Sequence, residues 1–348
     1  MCTGGPVASQ VEVAAMRRAL ALAATPGVPT GPNPRVGCVL VGVDGTPVAE
    51  GHHRGAGSPH AEVDALARAG SAARGTTAVV TLEPCRHAGR TGPCTEALLG
   101  AGVARVVFGQ ADSNPVAAGG AARLREAGVS VEGGLLADQA RALNPWWTFA
   151  VEHQRPFVTW KAATSLDGRV AAADGSSRWI TSAAARTQVH ALRSDVDAVV
   201  VGTGTVLADD PSLTVRDAAG VITGPQPLRV VVGERDLPAT SRVLDGTAPH
   251  VQLRMHDVGE VLSSLFSRDV QHVLLEGGPT LAGGFLEAGA VDRVVAYVAP
   301  RILGNGPAMV ELPGSATLAD SVELDVESVT QVGPDVCITL TPRAREAS

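Results

Sequence analysis

Residues 58–66, SPHAEVDAL, place His60 and Glu62 two positions apart at the predicted start of a helix. The surrounding sequence is apolar and rich in glycine. Three explanations fit such a pair: a salt bridge, a helix cap or a metal site. The rest of the chain is needed to choose between them.

Two cysteines extend the pattern. In TLEPCRHAGRTGPC, residues 81–94, Cys85 follows a predicted buried strand and Cys94 comes just before a predicted helix. Helix N-termini stabilise thiolates through their free amides and dipole. One histidine and two cysteines form a three-ligand set for Zn²⁺ that leaves a fourth position open for water, as in catalytic zinc sites. A single buried cysteine is usually only a small hydrophobe, so it is the joint pattern that favours zinc.

The chemistry expected at such a site needs a proton carrier beside the metal. Zinc lowers the pKa of bound water from about 16 towards about 7, and the hydroxide needs a partner that passes its proton to a leaving amine. Glu62 can do this without touching the metal. His87 lies between the cysteines, but a fourth protein ligand would close the site, so we expect it in the loop or the substrate pocket. Asn33 is interpreted equally well as a ligand of the substrate ring or as a turn residue.

Composition limits the class of protein. At roughly 100–200 residues per domain, 348 residues suggest two domains. Apolar residues make up 45%, enough for real cores, and a formal charge of −7 without a basic run argues against a general nucleic-acid binder. The sequence predicts neither a membrane span nor a secretory signal. Five scattered cysteines argue against a disulfide framework and favour a reducing, cytoplasmic setting.

Strands alternate with helices, which is typical of an α/β layer fold with mostly parallel pairing. Ser9 and Glu12 have the spacing of a capping box, and Asp44-Gly45 predicts a hairpin turn. The predicted strands are 36–43, 47–51, 77–82, 103–108, 129–131, 198–201, 228–232, 272–275, 291–298 and 335–342. The predicted helices include one that starts after Ser9, with apolar positions up to residue 23, and 60–69, 95–100, 121–127, 184–193 and 258–268.

The alternation of strands and helices is interrupted around Asn144-Pro145 and then begins again, so we predict domains 1–149 and 150–348. In the second domain, GTGT at 202–205 is predicted to turn tightly after a buried strand. HVLLEGGPTLAGG, residues 272–284, predicts a strand, a Gly-Gly turn and a helix whose terminal amides can bind phosphate. Since this is not the G-x-G-x-x-G fingerprint, these glycines alone fit turns as well as a cofactor site.

The His-x-Glu and Pro-Cys motifs resemble the zinc-dependent cytidine-deaminase-like fold, whose signature is H-x-E with P-C-x-x-C. Here RHAGRTGP separates the cysteines. This longer insert, with PNPRVGCVLV and GHHRGAGSPHAE, resembles the deaminase half of the bifunctional riboflavin-biosynthesis deaminase/reductases. The resemblance implies a three-layer domain that deaminates 2,5-diamino-6-(5-phosphoribosylamino)pyrimidin-4-one. It implies His60, Cys85 and Cys94 as zinc ligands and Glu62 as the catalytic proton shuttle.

WKAATSLDGRVA and DAVVVGTGTVLADDPSLTVR are similar to the reductase half of the same family. This implies a dihydrofolate-reductase-like domain that uses NADPH to reduce the ribosyl group to a ribityl chain. The residues implied to line the nucleotide are Ala163, Trp179, Thr205, Asp209, Gly278, Pro279, Thr280, Leu281, Ala282, Gly283 and Gly284. The residues implied to face the substrate are Ser177, Arg193, Ser212, Arg216 and Glu276.

The chemistry of the substrate agrees with part of this assignment. Arg193 and Arg216 are cations of the kind that bind a ribose 5-phosphate bidentately, although surface salt bridges would explain them too. Lys161 is interpreted either as polarising the sugar near the hydride acceptor or as structural.

We therefore expect a two-step cytoplasmic enzyme with Zn²⁺ and NADPH as cofactors. Its partner is a small-molecule phosphoribosyl pyrimidine, with neither nucleic acid nor membrane, and we expect a homo-oligomer. One alternative is a zinc deaminase of nucleosides or nucleic acid with an unrelated C-terminal domain. Another is a binding module with structural zinc. The acidic charge argues against nucleic acid, and the open coordination position with Glu62 argues against structural zinc.

Overall fold

The computed structural model describes residues 8–26, 28, 31–87 and 92–343. The chain divides into two compact units, Met1–Gln154 and Arg155–Ser348. The predicted boundary near residue 150 falls inside a helix, Pro145–His153, which belongs to the first unit. Proline occupies the first turn of this helix, where its missing N–H costs nothing. Within the described ranges, no helix is both long enough and apolar enough to cross a membrane.

The first unit is built on a five-stranded sheet with the strand order β2-β1-β3-β4-β5. The strands are β1 (Gly37–Val41), β2 (Pro47–His52), β3 (Thr77–Leu82), β4 (Arg105–Gln110) and β5 (Ser130–Gly133). The helices are α1 (Gln10–Ala23), α2 (Ala61–Ala69), α3 (Cys94–Ala101), α4 (Gly120–Glu126), α5 (Ala137–Leu143) and α6 (Pro145–His153).

Helices cover both faces of this sheet, which gives the three layers that the sequence predicts. Neighbouring residues of β3 show the division. Val79 shares a core with Met16 of α1, whereas Val80 shares a core with Ala65 of α2. Because side chains alternate across a strand, a strand that is buried on both faces has a continuous apolar sequence.

The predicted capping box of α1 is confirmed. Ser9 Oγ accepts from Glu12 N at 3.2 Å, and Glu12 Oε2 accepts from Ser9 N at 2.7 Å. The prediction of mostly parallel pairing is wrong for this unit, because β1 is antiparallel to both β2 and β3. The hairpin through Asp44-Gly45 reverses the chain before the α2 crossover begins. β3 therefore runs in the direction of β2 and opposite to β1, which lies between them.

The second unit is built on an eight-stranded sheet with the order β12-β13-β11-β6-β10-β7-β8-β9. The strands are β6 (Phe157–Ser165), β7 (Ala198–Gly202), β8 (Leu228–Val232), β9 (His250–Leu253), β10 (His272–Leu275), β11 (Arg293–Ala299), β12 (Leu324–Val332) and β13 (Asp335–Pro342). The helices are α7 (Ala183–Ser194), α8 (Thr203–Asp209), α9 (Val258–Phe266) and α10 (Pro279–Glu287).

The strands from β11 to β9 in this order pair in parallel. Their carboxyl ends therefore meet at one edge of the sheet, which is where ligands bind in open α/β sheets. The loops after β6, β7, β8 and β10 lie at this edge. β13 pairs antiparallel with β11, and β12 forms the outer edge.

Several local predictions need correction. The predicted tight turn at 202–205 is the start of a helix, because Gly202 is the extended N-cap of α8. α5, α6, β9 and β12 are missing from the predictions. β12 was missed because nearly all of its residues are exposed, so no buried face marks it as a strand.

Candidate active sites

The first site lies where β3 and two helices of the first unit converge. His60 is the extended N-cap residue of α2, Cys85 follows the end of β3, and Cys94 is the first residue of α3. Two helix N-termini and one strand end thus bring together residues that lie up to 34 positions apart in sequence. Each ligand lies at the end of an element that the sequence predicts. The fold brings the start of α2, the end of β3 and the start of α3 together.

The three predicted ligands form a single group. One ligand atom from each lies within 4.8 Å of the others, and this is the group in the described residues with the composition of a metal site. His60 Nδ1 lies 3.2 Å from Cys94 Sγ and 3.6 Å from Cys85 Sγ. Tetrahedral zinc with ordinary bond lengths would separate such nitrogen and sulfur atoms by about 3.5 Å. The donor set and its spacing therefore fit zinc.

The two thiols have opposite proton affinities. Hydrogen bonding from the Cys94 thiol, together with His60 and the Cys94 amide, lowers the pKa of Cys85. Because Cys94 donates to Cys85 and is itself buried, its own pKa is raised. The amide contributes at 3.5 Å from Cys94 N to Cys85 Sγ. The site thus stabilises a thiolate at Cys85 before any metal is considered.

Glu62 lies beside the ligand group without belonging to it. The residue is only 3% exposed. Burial raises the pKa of Glu62, and the neighbouring Cys85 charge raises it further. Its carboxyl interacts with the Cys94 thiol. A buried carboxyl whose pKa is raised, beside a candidate metal site, is the kind of group that serves as a general acid and base.

A buried histidine supports the loop that carries His60. His53 Nδ1 lies 3.0 Å from the Pro59 carbonyl oxygen and donates to it, so Nε2 accepts from Asn33 Nδ2 at 3.1 Å. The His53 ring meets the His60 ring edge-on, 5.4 Å between centroids. Asn33 is thus a partner of His53. Sequence reasoning missed His53, for which the only signal was a second histidine in GHHRGAG.

His87 stands apart from the ligand group, as expected. Its Nδ1 is buried and has no hydrogen-bond partner in the described part of the chain. Residues 88–91, in the insert between the two cysteines, lie outside the described residues. A second residue that the sequence did not single out is Asp112, whose pKa burial raises to about 6.

The second site is a cavity of about 1050 Å³ at the carboxyl edge of the eight-stranded sheet. Such a volume is at the upper end for single-ligand pockets, so it suits a nucleotide together with a second ligand. The predicted nucleotide residues that line it are Ala163, Trp179, Thr205, Asp209, Gly278, Pro279, Thr280, Leu281 and Gly284. All predicted substrate residues line it too: Ser177, Arg193, Ser212, Arg216 and Glu276.

Two predicted nucleotide residues lie elsewhere. Ala282 is fully buried in the core, and Gly283 faces the segment at Glu311, where a Cβ would come within 1.8 Å of the Glu311 carbonyl oxygen. Both lie on α10. Since a helix turns by 100° per residue, a continuous run of residues cannot all face one cavity.

A buried ion cluster lies in the cavity wall. Arg193 donates from Nε to Glu276 Oε1 at 2.6 Å and from Nη2 to Oε2 at 3.0 Å. Lys161 Nζ lies 3.7 Å from Glu276 Oε2. Arg193 Nη1 also donates to the Thr214 carbonyl. The structure thus gives Arg193 a carboxylate partner, and Glu276 joins the two cations that the sequence treated separately.

The loop that carries Ser212 and Arg216 has an unusual backbone. Asp210 and Leu213 have φ values of 39° and 54°, which are rare for residues with a side chain. Arg229, fully buried in β8, holds this loop by donating from Nη1 to the Ser212 carbonyl at 3.3 Å. Arg216 Nε donates to Thr214 Oγ1 at 3.0 Å. No pattern in the sequence indicates that Arg229 is buried inside a valine-rich strand.

Ser177 and Asp209 meet across the cavity mouth. Ser177 Oγ donates to Asp209 Oδ1 at 3.1 Å. The neighbouring Trp179 is 60% exposed and stacks under the Arg186 guanidinium, 4.4 Å from the ring centroid. Predicted substrate and nucleotide residues therefore lie side by side here.

The two folds and two sites define a class of protein. Residues 9–110 match the family described as "Cytidine and deoxycytidylate deaminase zinc-binding region", and residues 156–338 match "RibD C-terminal domain". The chain is a two-domain enzyme with a zinc-dependent deaminase domain and a dihydrofolate-reductase-like, NADPH-dependent reductase domain. It belongs to the RibD family of bifunctional deaminase/reductases of riboflavin biosynthesis. The alternative with an unrelated C-terminal domain is wrong.

Relatives support this over nearly the whole chain. Riboflavin biosynthesis protein RibD of Mycobacterium tuberculosis is 50% identical over 319 residues, which cover 90% of this chain and 92% of that protein. The RibD structure from Acinetobacter baumannii, form 1, is 39% identical with a TM-score of 0.83, covering 96% and 99% of the two chains. The Thermotoga maritima diaminohydroxyphosphoribosylaminopyrimidine deaminase/5-amino-6-(5-phosphoribosylamino)uracil reductase is 33% identical with a TM-score of 0.80, with the same coverage.

Proposed function

We propose that the first step of the RibD reaction takes place at His60, Cys85, Cys94 and Glu62, in a domain that ends near residue 150. The observation that carries this is the spacing of the three donor atoms, which fits tetrahedral zinc. Zinc bound by these residues acts as a Lewis acid that activates water for attack on an amine-bearing carbon. Glu62 is not a member of the ligand group, so it would stay free to move protons beside the metal.

Glu62 moves the protons of this step. Its carboxyl is buried and its pKa is raised, so it is suited to take a proton from water and pass it on. It then delivers that proton to the leaving amine, which departs as ammonia. Buried His53, which Asn33 holds through Nε2, fixes the Pro59 carbonyl and with it the loop that presents His60.

The second step is assigned to the cavity of the second unit. When bound, NADPH supplies the hydride that reduces the ribosyl carbon. The nucleotide is proposed to contact five parts of the cavity lining: Ala163, Trp179, Thr205, Asp209 and the start of α10 at Gly278. The α10 N-terminus suits its pyrophosphate, because the free amides and the dipole favour negative charge.

The substrate lies opposite, along Ser177, Ser212, Arg216 and the Glu276 cluster. Arg216 has no carboxylate partner in the described residues, and its Nε and Nη1 donate to Thr214 Oγ1 and the Gly220 carbonyl, so its charge and Nη2 are available for the 5-phosphate. Arg193, by contrast, is held by Glu276. Lys161 and Glu276 face the sugar and fix its orientation toward the nicotinamide.

We further propose a cytoplasmic homo-oligomer that acts on the small-molecule substrate and not on nucleic acid. β12 is an edge strand of the sheet with Val326 and Val329 about three-fifths exposed, 62% and 61%. An open edge strand with two exposed valines suits a symmetric contact with a second copy. Sedimentation of the wild-type chain and a Val329→Glu variant tests this, with a monomeric wild type as the contradicting result.

Selective metal removal tests the assignment of steps to sites. Purified chain is assayed for zinc, for ammonia release from the diamino substrate, and for NADPH oxidation with the deaminated intermediate. Treatment with a chelator should abolish ammonia release, and zinc should restore it, while NADPH oxidation continues. Loss of NADPH oxidation in parallel with zinc, from protein that stays folded, would contradict the two-site assignment.

A further inference from the structure

One arginine of the reductase cavity, Arg235, belongs neither to the predicted nucleotide residues nor to the predicted substrate residues. Arg235 lies three residues after β8 and lines the cavity. Its Nε donates to Thr203 Oγ1 at 3.2 Å, and the guanidinium lies against Gly204, where a Cβ would come within 2.9 Å of Nη2. No carboxylate pairs with Arg235 in the described chain. Its two terminal nitrogens likewise have no hydrogen-bond acceptor there.

The sheet order indicates which part of the nucleotide reaches Arg235. β6, β10, β7 and β8 are consecutive neighbours, with Ala163 on β6 and Gly278 after β10. At 4.7–4.9 Å per strand, β8 lies about 14 Å from β6. A dinucleotide with its nicotinamide at Ala163 and its pyrophosphate at Gly278 therefore extends its adenosine half over β7 towards β8. This step rests on the proposed function of the cavity.

The charges at this end distinguish two kinds of nucleotide. A carboxylate that hydrogen-bonds the ribose 2′-hydroxyl favours NAD, whereas an arginine accommodates the 2′-phosphate of NADP. Glu234 does not line the cavity, and its neighbour Arg235 does. The nearby Arg242 is paired with Asp210, and Arg254 is paired with Asp236 and lies outside the cavity lining. The uncompensated cation after β8 is therefore Arg235.

We propose that Arg235 binds the 2′-phosphate of NADPH and sets the preference for NADPH over NADH. Thr203, which is buried, holds the guanidinium through Nε. This leaves the fork of terminal nitrogens free to bind the phosphate bidentately.

Binding of oxidised nucleotides to the full-length protein tests the proposal without turnover. Calorimetry measures Kd for NADP⁺ and NAD⁺, and for 2′,5′-ADP and 5′-AMP, with wild type, Arg235→Gln and Arg235→Lys. Arg235→Gln should weaken NADP⁺ and 2′,5′-ADP by about 10–100-fold, as expected for a lost hydrogen bond to a charged group. NAD⁺ and 5′-AMP should bind as they do to wild type. Arg235→Lys should recover part of the loss, because it keeps the charge but not the fork.

Arg254→Gln is the matched control, since Arg254 is also an exposed arginine, follows the neighbouring strand β9, contacts the same loop at Glu234 and Asp236, and lies outside the cavity. It should leave all four affinities unchanged. Equal weakening of NADP⁺ and NAD⁺ by Arg235→Gln, or no weakening of NADP⁺, would overturn the assignment of Arg235. A wild-type protein that binds neither nucleotide would instead overturn the proposed function of the cavity, and with it the inference.

Discussion

In the wall of the reductase cavity, Arg193 donates two hydrogen bonds to Glu276, 2.6 Å from Nε to Oε1 and 3.0 Å from Nη2 to Oε2. Burial alone would raise the pKa of Glu276, but the charges of Arg193 and Lys161 lower it to about 2. Glu276 is therefore ionised at physiological pH. Burial lowers the pKa of Lys161, and the carboxylate opposes that shift. One carboxylate thus holds two cations in place at the predicted sugar site.

Glu276→Gln should impair the reductase site alone. The change leaves Arg193 and Lys161 without a counter-charge. Removing one partner of a buried ion pair lowers the free energy of unfolding by about 3–5 kcal/mol. We expect NADPH oxidation to fall at least about 10-fold while ammonia release is unchanged. Steady-state assays of both steps, with urea unfolding, check this. The exposed Glu260→Gln serves as control, and reduction at the wild-type rate in Glu276→Gln would contradict the role of the cluster.

Gly120→Ala should weaken zinc binding from a distance. A Cβ at Gly120 would lie 1.7 Å from the Pro84 carbonyl oxygen, so the backbone before Cys85 must move. Overpacking of this kind costs about 1–3 kcal/mol, and the displaced thiolate should lower zinc affinity. Zinc retained after dialysis against a chelator measures the effect.

Gly100→Ala is the matched control for this change. Gly100 lies in α3, and a Cβ there meets no atom within 4 Å. Alanine should retain zinc and raise stability by about 0.5–1 kcal/mol, as it does in helix interiors. Equal zinc retention in both variants would contradict the argument.

Stability of the second unit should fall on mild acidification because of His272. Its Nδ1 donates to the Asp195 carbonyl and its Nε2 accepts from Thr159 Oγ1 at 2.9 Å, so the ring is neutral. Burial lowers the pKa of His272 to about 4. The pKa of His272 is lower in the folded protein than the value of about 6.5 in the unfolded chain. Its contribution to the free energy of unfolding is therefore full above about pH 6.5. About 3 kcal/mol of that contribution is lost as the pH falls towards 4.

Urea unfolding at several pH values checks this, since His272→Gln should flatten the stability loss between pH 6.5 and 4. The exposed His250→Gln should keep the wild-type profile. An unchanged slope in His272→Gln would mean that other groups cause the acid sensitivity.

Arg229→Met should loosen the loop that carries Ser212 and Arg216. The guanidinium is buried and donates to Asp245 Oδ1 at 3.0 Å and to the Ser212, Arg242 and Ala248 carbonyls. Without it, the positive φ values of Asp210 and Leu213 lose their support. We expect KM for the deaminated intermediate to rise more than kcat falls. A fall in kcat at constant KM, measured in steady state, would contradict a positioning role.

The zinc site could be predicted from the sequence because each ligand belongs to a local element with a clear signal. A buried apolar strand precedes Cys85, and helix starts mark His60 and Cys94. The reductase site could be predicted only through resemblance, because its chemistry depends on distant pairs. Arg193 and Glu276 lie 83 residues apart, and no pattern near either names the other.

The faces of α10 were beyond sequence reasoning for a different reason. The glycine-rich run gives no hydrophobic contrast, so it could not show that Ala282 and Gly283 face away from the cavity. The strand β12 could not be predicted for a similar reason, since it has no buried face.

The most direct test of the account is Glu62→Gln, assayed for both steps on one preparation. The change keeps the shape of the side chain and removes the group that moves the protons. Zinc content and NADPH oxidation with the deaminated intermediate should match wild type, while ammonia release should fall by about 10²–10⁴-fold, the usual contribution of general acid–base catalysis. Ammonia release at the wild-type rate, or loss of both steps together in folded, zinc-loaded protein, would contradict it.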